Sequence, residues 1–261
     1  MAGAPPALDV LNARARSRDL RSGGNQPLRF VPPDDDPSPY EQRVFSRGEV
    51  VTRPNNWHDA HNAEVWLAFP RSKACINRLH VDAMAQQAAF GARDAPSARG
   101  VLSDRLTQFD ECGVVVAGMP LPLWQALRAH RWRHVFVDAR DTVLATTRFV
   151  IFGHASRDAL AAPYIGLCGK ALWLDVSPDV RDDDHALDAA LCAALDAWAA
   201  PRPPGDERRT ATTVVSPRWP PLPLLGLPGM TPDNENPAYY DDERQFRPPR
   251  TMAPGSSPDS R

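Results

Sequence analysis

The sequence predicts a single α/β or α+β domain, in which a helical N-terminal half packs on a small β-sheet. Short apolar segments near residues 113–118, 147–152 and 170–176 are typical of buried strands. Before and between them, apolar residues recur at helical spacing, and proline, glycine and asparagine mark the breaks. The length of 261 residues and the hydrophobic content of 43% are enough for one core.

The predicted boundaries place one globular domain between two less regular ends. Residues 1–26 show little apolar pattern, and we expect weak order there. The domain spans residues 27–250 and begins with a short extended segment at residues 28–31. A short helix within residues 40–51 follows. Residues 251–261 are rich in Ser and Pro, and we expect them to be disordered.

Two consecutive helices are predicted in the N-terminal half. Asn55 or Asn56 can cap the first helix, over residues 57–68. Pro70 cannot lie inside a helix, but it suits the first turn of a second helix, over residues 71–90. The proline therefore divides one polar stretch into two helices.

Helices and strands then alternate toward the C-terminus. A loop over residues 91–101 precedes a short helix that ends near Phe109, and the first predicted strand follows. Pro120 begins another helix. That helix can extend to Thr146, although residues 135–137 suit a strand equally well.

The last elements lead into a proline-rich tail. Gly153 ends the second strand, and His154 stands at the start of a helix over residues 155–161. A helix over residues 185–199 follows the third strand. Residues 201–250 contain many prolines, which exclude a long helix, so we expect this tail to run extended and to dock on the domain.

The densest mixture of ionisable and aromatic side chains lies in residues 55–80. Helical spacing places Lys73, Asn77 and His80 on one stripe beside an apolar face, where a cleft can form. From elsewhere in the chain, His154 is the expected partner, because a helix start after a strand is a common site position. The expected catalytic residues are His58, Asp59, His80 and His154, and the expected substrate-binding residues are Asn55, Asn62, Arg71, Lys73 and Asn77.

These residue types support more than one interpretation. A His–Asp pair can orient and charge a general base. A divalent metal is an alternative that the pattern does not favour, because no H-E-x-x-H is present, and the cofactor is left open. In the structural interpretation, the polar side chains only tie helices to the sheet. Arg105, Asp110 and Glu111 are interpreted as a structural ion-pair set. The two function hypotheses are therefore a hydrolase-like enzyme and a non-catalytic binding or structural module.

Charge and composition narrow the partners and the location. The formal net charge of −2 argues against nucleic acid as the main partner. The apolar runs are too short for a membrane helix, and no secretory signal is recognisable. The four cysteines lie among apolar neighbours, so we interpret them as reduced. We expect a soluble, cytoplasmic protein with a small-molecule ligand, and the oligomeric state is left open.

Several motifs follow one another in a fixed order along the chain. They are Asn-Asn-Trp-His-Asp at 55–59, Phe-Pro-Arg-Ser-Lys at 69–73, Asn77, His80, Leu-Thr-Gln-Phe-Asp-Glu-Cys-Gly at 106–113, Phe-Gly-His-Ala at 152–155, Leu-Gly-Leu-Pro-Gly at 225–229 and Pro-Ala-Tyr-Tyr-Asp-Asp at 237–242. Together they resemble an uncharacterised bacterial family, domain of unknown function 3025, over roughly residues 30–250. The resemblance implies a single domain and no particular activity.

Overall fold

The structure is a computed structural model that describes residues 3–89, 98–200 and 219–249. The α-helices are α1 (Leu8–Ser17), α2 (Tyr40–Arg47), α3 (Trp57–Ala68), α4 (Pro70–Ala89), α5 (Ala98–Cys112), α6 (Leu121–Arg128), α7 (Arg140–Thr146), α8 (His154–Ala159), α9 (Pro178–Asp182) and α10 (Asp184–Ala199). The strands are β1 (Arg29–Val31), β2 (Glu49–Val51), β3 (Gly113–Ala117), β4 (Arg148–Ile151), β5 (Cys168–Leu174) and β6 (Pro221–Pro223). Short 3-10 segments cover Leu224–Gly226, Pro232–Glu235 and Pro237–Asp241.

A mixed four-stranded sheet with the order β4-β3-β5-β6 forms the centre of the domain. Strand β3 pairs antiparallel with β4 and parallel with β5, and β5 pairs antiparallel with β6. Every residue of β3 is buried, as expected for a strand that is covered on both faces. Helices and small mixed sheets in one chain agree with α+β, one of the two predicted classes.

Helices and the tail cover the two faces of this sheet. On one face, Val114 and Val116 pack in a core with α6, the π-helical turn His134–Asp138 and the tail. On the other face, Val115 and Ala117 pack against apolar residues of α4, α5 and α10. The sheet therefore separates two cores, and the C-terminal end of α5 leads directly into its central strand.

The N-terminal segment differs from the expectation of weak order. Helix α1 buries Leu11 completely and Ala15 almost completely, in a third core with α3 and the parallel pair β1 and β2. The side chain of Asn12 donates to the carbonyl of Phe30 and accepts from its N–H. Two buried residues in ten are too few to reveal this packing as a sequence pattern.

Several elements differ from the sequence predictions downstream, among them the helix from Pro120, which ends at Arg128 and does not continue to Thr146. Helix α5 begins at Ala98, so the predicted short helix is longer at its N-terminal end, while residues 90–97 lie outside the described part of the chain. Residues 135–137 belong to a π-helical turn and form no strand. Strand β5 begins earlier than predicted because Cys168 pairs with Pro223 of β6, a partner distant in sequence.

The described part of the tail packs on the domain, but it forms one short strand and three 3-10 segments rather than running extended throughout. Leu222, Leu224, Leu227, Tyr240 and Phe246 are all buried there. The predictions for residues 201–218 and 250–261 fall outside the described residues. Among the residues that are described, no helix combines the length and the apolar content needed to cross a bilayer.

Candidate functional site

Four helices bring ionisable side chains together at one place in the domain. His58 lies in the first turn of α3, Lys73 in α4, and Asp110 and Glu111 near the C-terminal end of α5, while His154 is the first residue of α8. Contacts of α3 with α8 and α4, and of α5 with α4 and α8, hold these segments against one another. The site is therefore assembled from parts of the chain that are far apart in sequence.

Local signals in the sequence position the two histidines. The side chain of Asn56 accepts a hydrogen bond from the N–H of Asp59 at 2.9 Å, which caps α3 and places His58 in its first turn. The N–H of Gly153 donates to the carbonyl of Gly113 at 2.8 Å. A Cβ at position 153 would clash with the backbone at the end of α5, so glycine allows α8 to approach that helix closely.

His58, Glu111 and His154 form a compact set that we call the His–Glu group. Nε2 of His154 lies 3.3 Å from Oε2 of Glu111, and Nε2 of His58 lies 4.0 Å from the same oxygen. The two imidazole rings meet edge to face, with centroids 4.6 Å apart. The hydrogen bond with His154 and the nearby His58 outweigh burial, so that the pKa of Glu111 is lowered.

The His–Glu group is buried on one side and open to solvent on the other. The side chain of His154 is only 6% exposed, whereas those of His58 and Glu111 are 36% and 37% exposed. Two of its three members can therefore be reached by a small molecule, and the third is held in the protein interior.

A buried ion pair lies behind this group. Nζ of Lys73 donates to both carboxylate oxygens of Asp110, at 2.6 and 2.7 Å, and to Oδ1 of Asn62 at 2.9 Å. The same ammonium lies 5.4 Å from the ring centroid of Trp66, within the range of a cation–π contact. Burial raises the pKa of Asp110, but Lys73 and His154 outweigh it, and the pKa is lowered overall.

One buried nitrogen connects the ion pair to the His–Glu group. Nδ1 of His154 faces Oδ2 of Asp110 at 3.8 Å, which is too long for a hydrogen bond. This nitrogen is buried and has no hydrogen-bond partner. Buried polar atoms are nearly always satisfied, so an unpaired one calls for an explanation.

Two predicted residues, His80 and Asn77, have other partners. Nδ1 of His80 lies 2.9 Å from the hydroxyl of Ser103, and burial lowers its pKa. Asn77 donates to the backbone carbonyl and to the carboxylate of Glu41, at 2.8 and 2.7 Å, and accepts from the N–H of Gly23. Asn77 thus connects α4 to α2 and to the N-terminal segment rather than facing the His–Glu group.

The structure also places Asp59, Asn55 and Arg71 apart from the His–Glu group. The backbone N–H and the guanidinium of Arg53 both donate hydrogen bonds to the carboxylate of Asp59, and together they reach both of its oxygens. Asn55 is an exposed turn residue with a φ of 57°. Arg71 has an exposed side chain, and its backbone N–H donates to Asp188. Asp59 is turned away because a cation six positions earlier provides a closer partner.

Sequence reasoning missed the two acidic residues that matter most here. The sequence predicts Asp110, Glu111 and Arg105 as a structural ion-pair set, whereas in the structure Asp110 pairs with Lys73 and Glu111 with His154. One signal was available. Adjacent acidic residues at the C-terminal end of a helix face its negative dipole end, which is unfavourable unless cations from elsewhere compensate.

A second cluster of ligand-type side chains lies between α4 and α10. The thiol of Cys75 lies 3.2 Å from Oδ1 of Asp196, and Cys192 is adjacent. The guanidinium of Arg78 forms an ion pair with Asp196, so the charge of this carboxylate is already balanced. The four cysteines, including Cys112 and Cys168, are free.

These features define an α+β domain with a half-exposed group of two imidazoles and one carboxylate above a buried ion pair. The chain belongs to the family described as protein of unknown function DUF3025, whose family model matches residues 28–250. No curated protein matches the chain, and no solved structure does.

Proposed function

We propose that the protein is a soluble, cytoplasmic bacterial enzyme that hydrolyses a small-molecule substrate at the His–Glu group. The observation that carries the proposal is the position of His154, a buried imidazole with Asp110 on its Nδ1 side and Glu111 on its Nε2 side. Perturbed ionisable groups that converge at a partly open surface are typical of catalytic sites. The four free cysteines support a reducing compartment.

The chemistry proposed is the activation of water within the His–Glu group. A water molecule bound there passes one proton to a basic atom of the group while its oxygen bonds to the electrophilic carbon or phosphorus of the substrate. The bond from that atom to the leaving group breaks, and the group returns the proton to the leaving group. The carboxylates of Asp110 and Glu111 lie on either side of the His154 imidazole. Lys73 keeps Asp110 ionised, because the ammonium offsets the burial of this carboxylate.

Substrate contacts are proposed on the solvent side. Asn62 links the ion pair to the surface, since it accepts from Lys73 and its Nδ2 donates to the hydroxyl of Tyr40 at 3.1 Å. The ring of Tyr40 reaches the surface, while burial around its hydroxyl raises the pKa of that group. These groups offer donors to a polar or anionic small molecule.

The second candidate is a non-catalytic structural or binding module. It is favoured by the complete hydrogen bonding of Lys73 and Asn77, which tie α3, α5 and α2 to α4. A purely structural network gives no reason for the unpaired Nδ1 of His154 or for two half-exposed members beside it. The enzyme is therefore the better supported of the two.

A substrate panel of esters, phosphoesters, amides and glycosides tests the proposal. We expect the wild-type protein to hydrolyse one class, and His154→Gln and Glu111→Gln to lower kcat/KM by about 100-fold or more. Glu111→Gln changes a half-exposed side chain, so it still tests the proposal if His154→Gln, at a buried position, fails to fold. The matched control is His134→Gln, which should keep full activity. It replaces a histidine in the π-helical turn His134–Asp138 whose side chain is 40% exposed.

Two results would overturn the proposal. One is the absence of turnover for every class with folded wild-type protein, which would favour the structural module. The other is a turnover that both site variants retain at the wild-type rate. Circular dichroism of each variant confirms that the fold is intact.

A further inference from the structure

We propose that the His–Glu group binds one divalent transition-metal ion, of the zinc or iron(II) type, through His58, Glu111 and His154. The metal-binding part of this inference stands on geometry alone, whereas its catalytic part rests on the proposed hydrolase. Two imidazoles and one carboxylate are a recurrent ligand set for catalytic zinc and for non-haem iron(II).

The spacing of the ligand atoms fits one ion. Bonds of about 2.0–2.1 Å in tetrahedral geometry separate neighbouring ligand atoms by about 3.3 Å. Nε2 of His154 and Oε2 of Glu111 are already 3.3 Å apart, and all three ligand atoms lie within 4.8 Å of one another. Only His58 must move inward, and its side chain, 36% exposed in the first turn of α3, has room to do so.

The unpaired nitrogen of His154 provides an independent argument. A histidine that binds a metal through Nε2 carries its proton on Nδ1, and it usually donates that proton to a carboxylate. Oδ2 of Asp110 stands 3.8 Å from Nδ1, so a shift of the ring by less than about 1 Å makes the hydrogen bond. A bound ion therefore accounts for the one buried nitrogen of the group that has no partner.

The charges around the group also favour a cation. Lys73 neutralises the charge of Asp110 through two short hydrogen bonds. Among the residues that the structure describes, the carboxylate of Glu111 has no such cation, so its negative charge remains within the His–Glu group. With neutral imidazoles the group is an anionic site. Lys73 also fixes the orientation of Asp110, so that Asp110 is held ready to accept from His154.

The number of ligands points to a catalytic ion rather than a structural one. Structural zinc sites in proteins are closed by four ligands from the chain, whereas catalytic sites keep a position for water. Among the described residues, three ligands converge here, on a side open to solvent. The ion would lower the pKa of its water to about 7, which supplies hydroxide for hydrolysis, and the released proton passes to solvent.

Zinc titration of metal-free, full-length protein tests the site. The titration uses calorimetry and a competing zinc indicator in a Cys75→Ala/Cys192→Ala background, because the cysteine cluster is a second group, among the described residues, that could bind zinc. We expect about one equivalent bound with submicromolar affinity. His58→Ala and Glu111→Ala, both at half-exposed positions, should each weaken binding by about 100-fold or more. Iron(II) and manganese(II) titrations under anaerobic conditions identify the preferred ion.

A second variant tests the role of the buried carboxylate. Asp110→Asn should weaken zinc binding by about 10- to 100-fold, since it removes the acceptor for Nδ1 of His154 without removing a ligand. His134→Ala, outside the group, is the matched control and should bind as the parent protein does.

The two proposals fail independently. Less than about a tenth of an equivalent of each ion, or unchanged affinity in His58→Ala and Glu111→Ala, overturns the metal site. Hydrolysis that survives exhaustive chelation overturns the catalytic role of the ion and leaves both the binding site and the hydrolase intact. Zinc bound at the His–Glu group by a protein that hydrolyses no substrate class overturns only the hydrolase.

Discussion

Replacing Lys73 with methionine should lower the free energy of unfolding by about 3–5 kcal/mol at pH 7.5. The side chain of Lys73 is 4% exposed and that of Asp110 is 15% exposed, so the substitution leaves a buried carboxylate without its cation. Methionine fills the space of the aliphatic stem, and a cavity therefore contributes little. The lost contacts are two hydrogen bonds to Asp110 and one to Asn62.

The loss should also depend on pH. In the wild-type protein the pKa of Asp110 is lowered, so its contribution to stability is present at neutral pH and is lost as the pH falls through the folded-state value. Without Lys73, burial raises that pKa, and stability is instead lost as the pH rises through it. The difference between wild type and Lys73→Met is therefore smaller at pH 4 than at pH 7.5.

Urea unfolding followed by fluorescence and circular dichroism measures this difference at both pH values. Arg14→Met is the matched control, because the Arg14–Glu64 pair is 39% and 32% exposed and should be worth only about 0–1 kcal/mol. Adding Asp110→Asn to Lys73→Met should restore at least about 2 kcal/mol, since it removes the unpaired charge. A loss no larger than that of Arg14→Met, or no recovery in the double variant, would refute the reasoning.

Three further substitutions test how the site is supported. Burial raises the pKa of Glu41 from 4.5 to about 7, so the wild-type protein loses stability as the pH rises through 7. In urea unfolding, Glu41→Gln should therefore raise the free energy of unfolding by about 2–3 kcal/mol at pH 8.5 and change it little at pH 4. Asp188→Ala should cost about 2–4 kcal/mol in the same assay, because it removes the acceptor for the N–H groups of Arg71 and Ser72 that begin α4. Gly153→Ala should cost about 1–3 kcal/mol and weaken zinc binding, because its Cβ pushes α8 away from α5.

Controls and contrary results are specific to each substitution. An equal gain for Glu41→Gln at both pH values would show that ionisation is not the cause. Asp184→Ala, at an exposed position of the same helix as Asp188, should cost less than about 1 kcal/mol. Gly3→Ala, with open space around the added carbon, should change nothing, and zinc affinity preserved in Gly153→Ala would contradict the proposed packing.

Local features of the chain were predictable because their causes lie within a few residues. The cap at Asn56, the helix break before Pro70, the buried strand β3 and the position of His154 at the start of α8 all depend on capping, proline geometry or apolar runs. Helix α1 was missed, because its burial depends on partners in β1 and α3 that only the folded chain provides.

The candidate site was only half predictable for the same reason. His58 and His154 were expected to be partners and lie with their rings 4.6 Å apart. Glu111, which completes the group, was missed because nothing adjacent in sequence shows that it faces His154. Asp59 was expected in the site, but its carboxylate is bound by Arg53. Residue spacing alone does not show whether this carboxylate pairs with a histidine of the site or with the nearby arginine.

The sequence by itself determined that helices pack on a small sheet, without deciding between the α/β and α+β classes. It also determined the helix pair on either side of Pro70 and the residues that begin α3 and α8. Capping, proline and apolar periodicity act over one or two turns, so they can be recognised in the chain without its fold. Only the tertiary structure decided that Lys73 pairs with Asp110, 37 positions away, and that Asp188 holds the start of α4 from 116 positions away. These partners depend on which helix faces meet, and the burial that makes each contact strong exists only after the helices have packed.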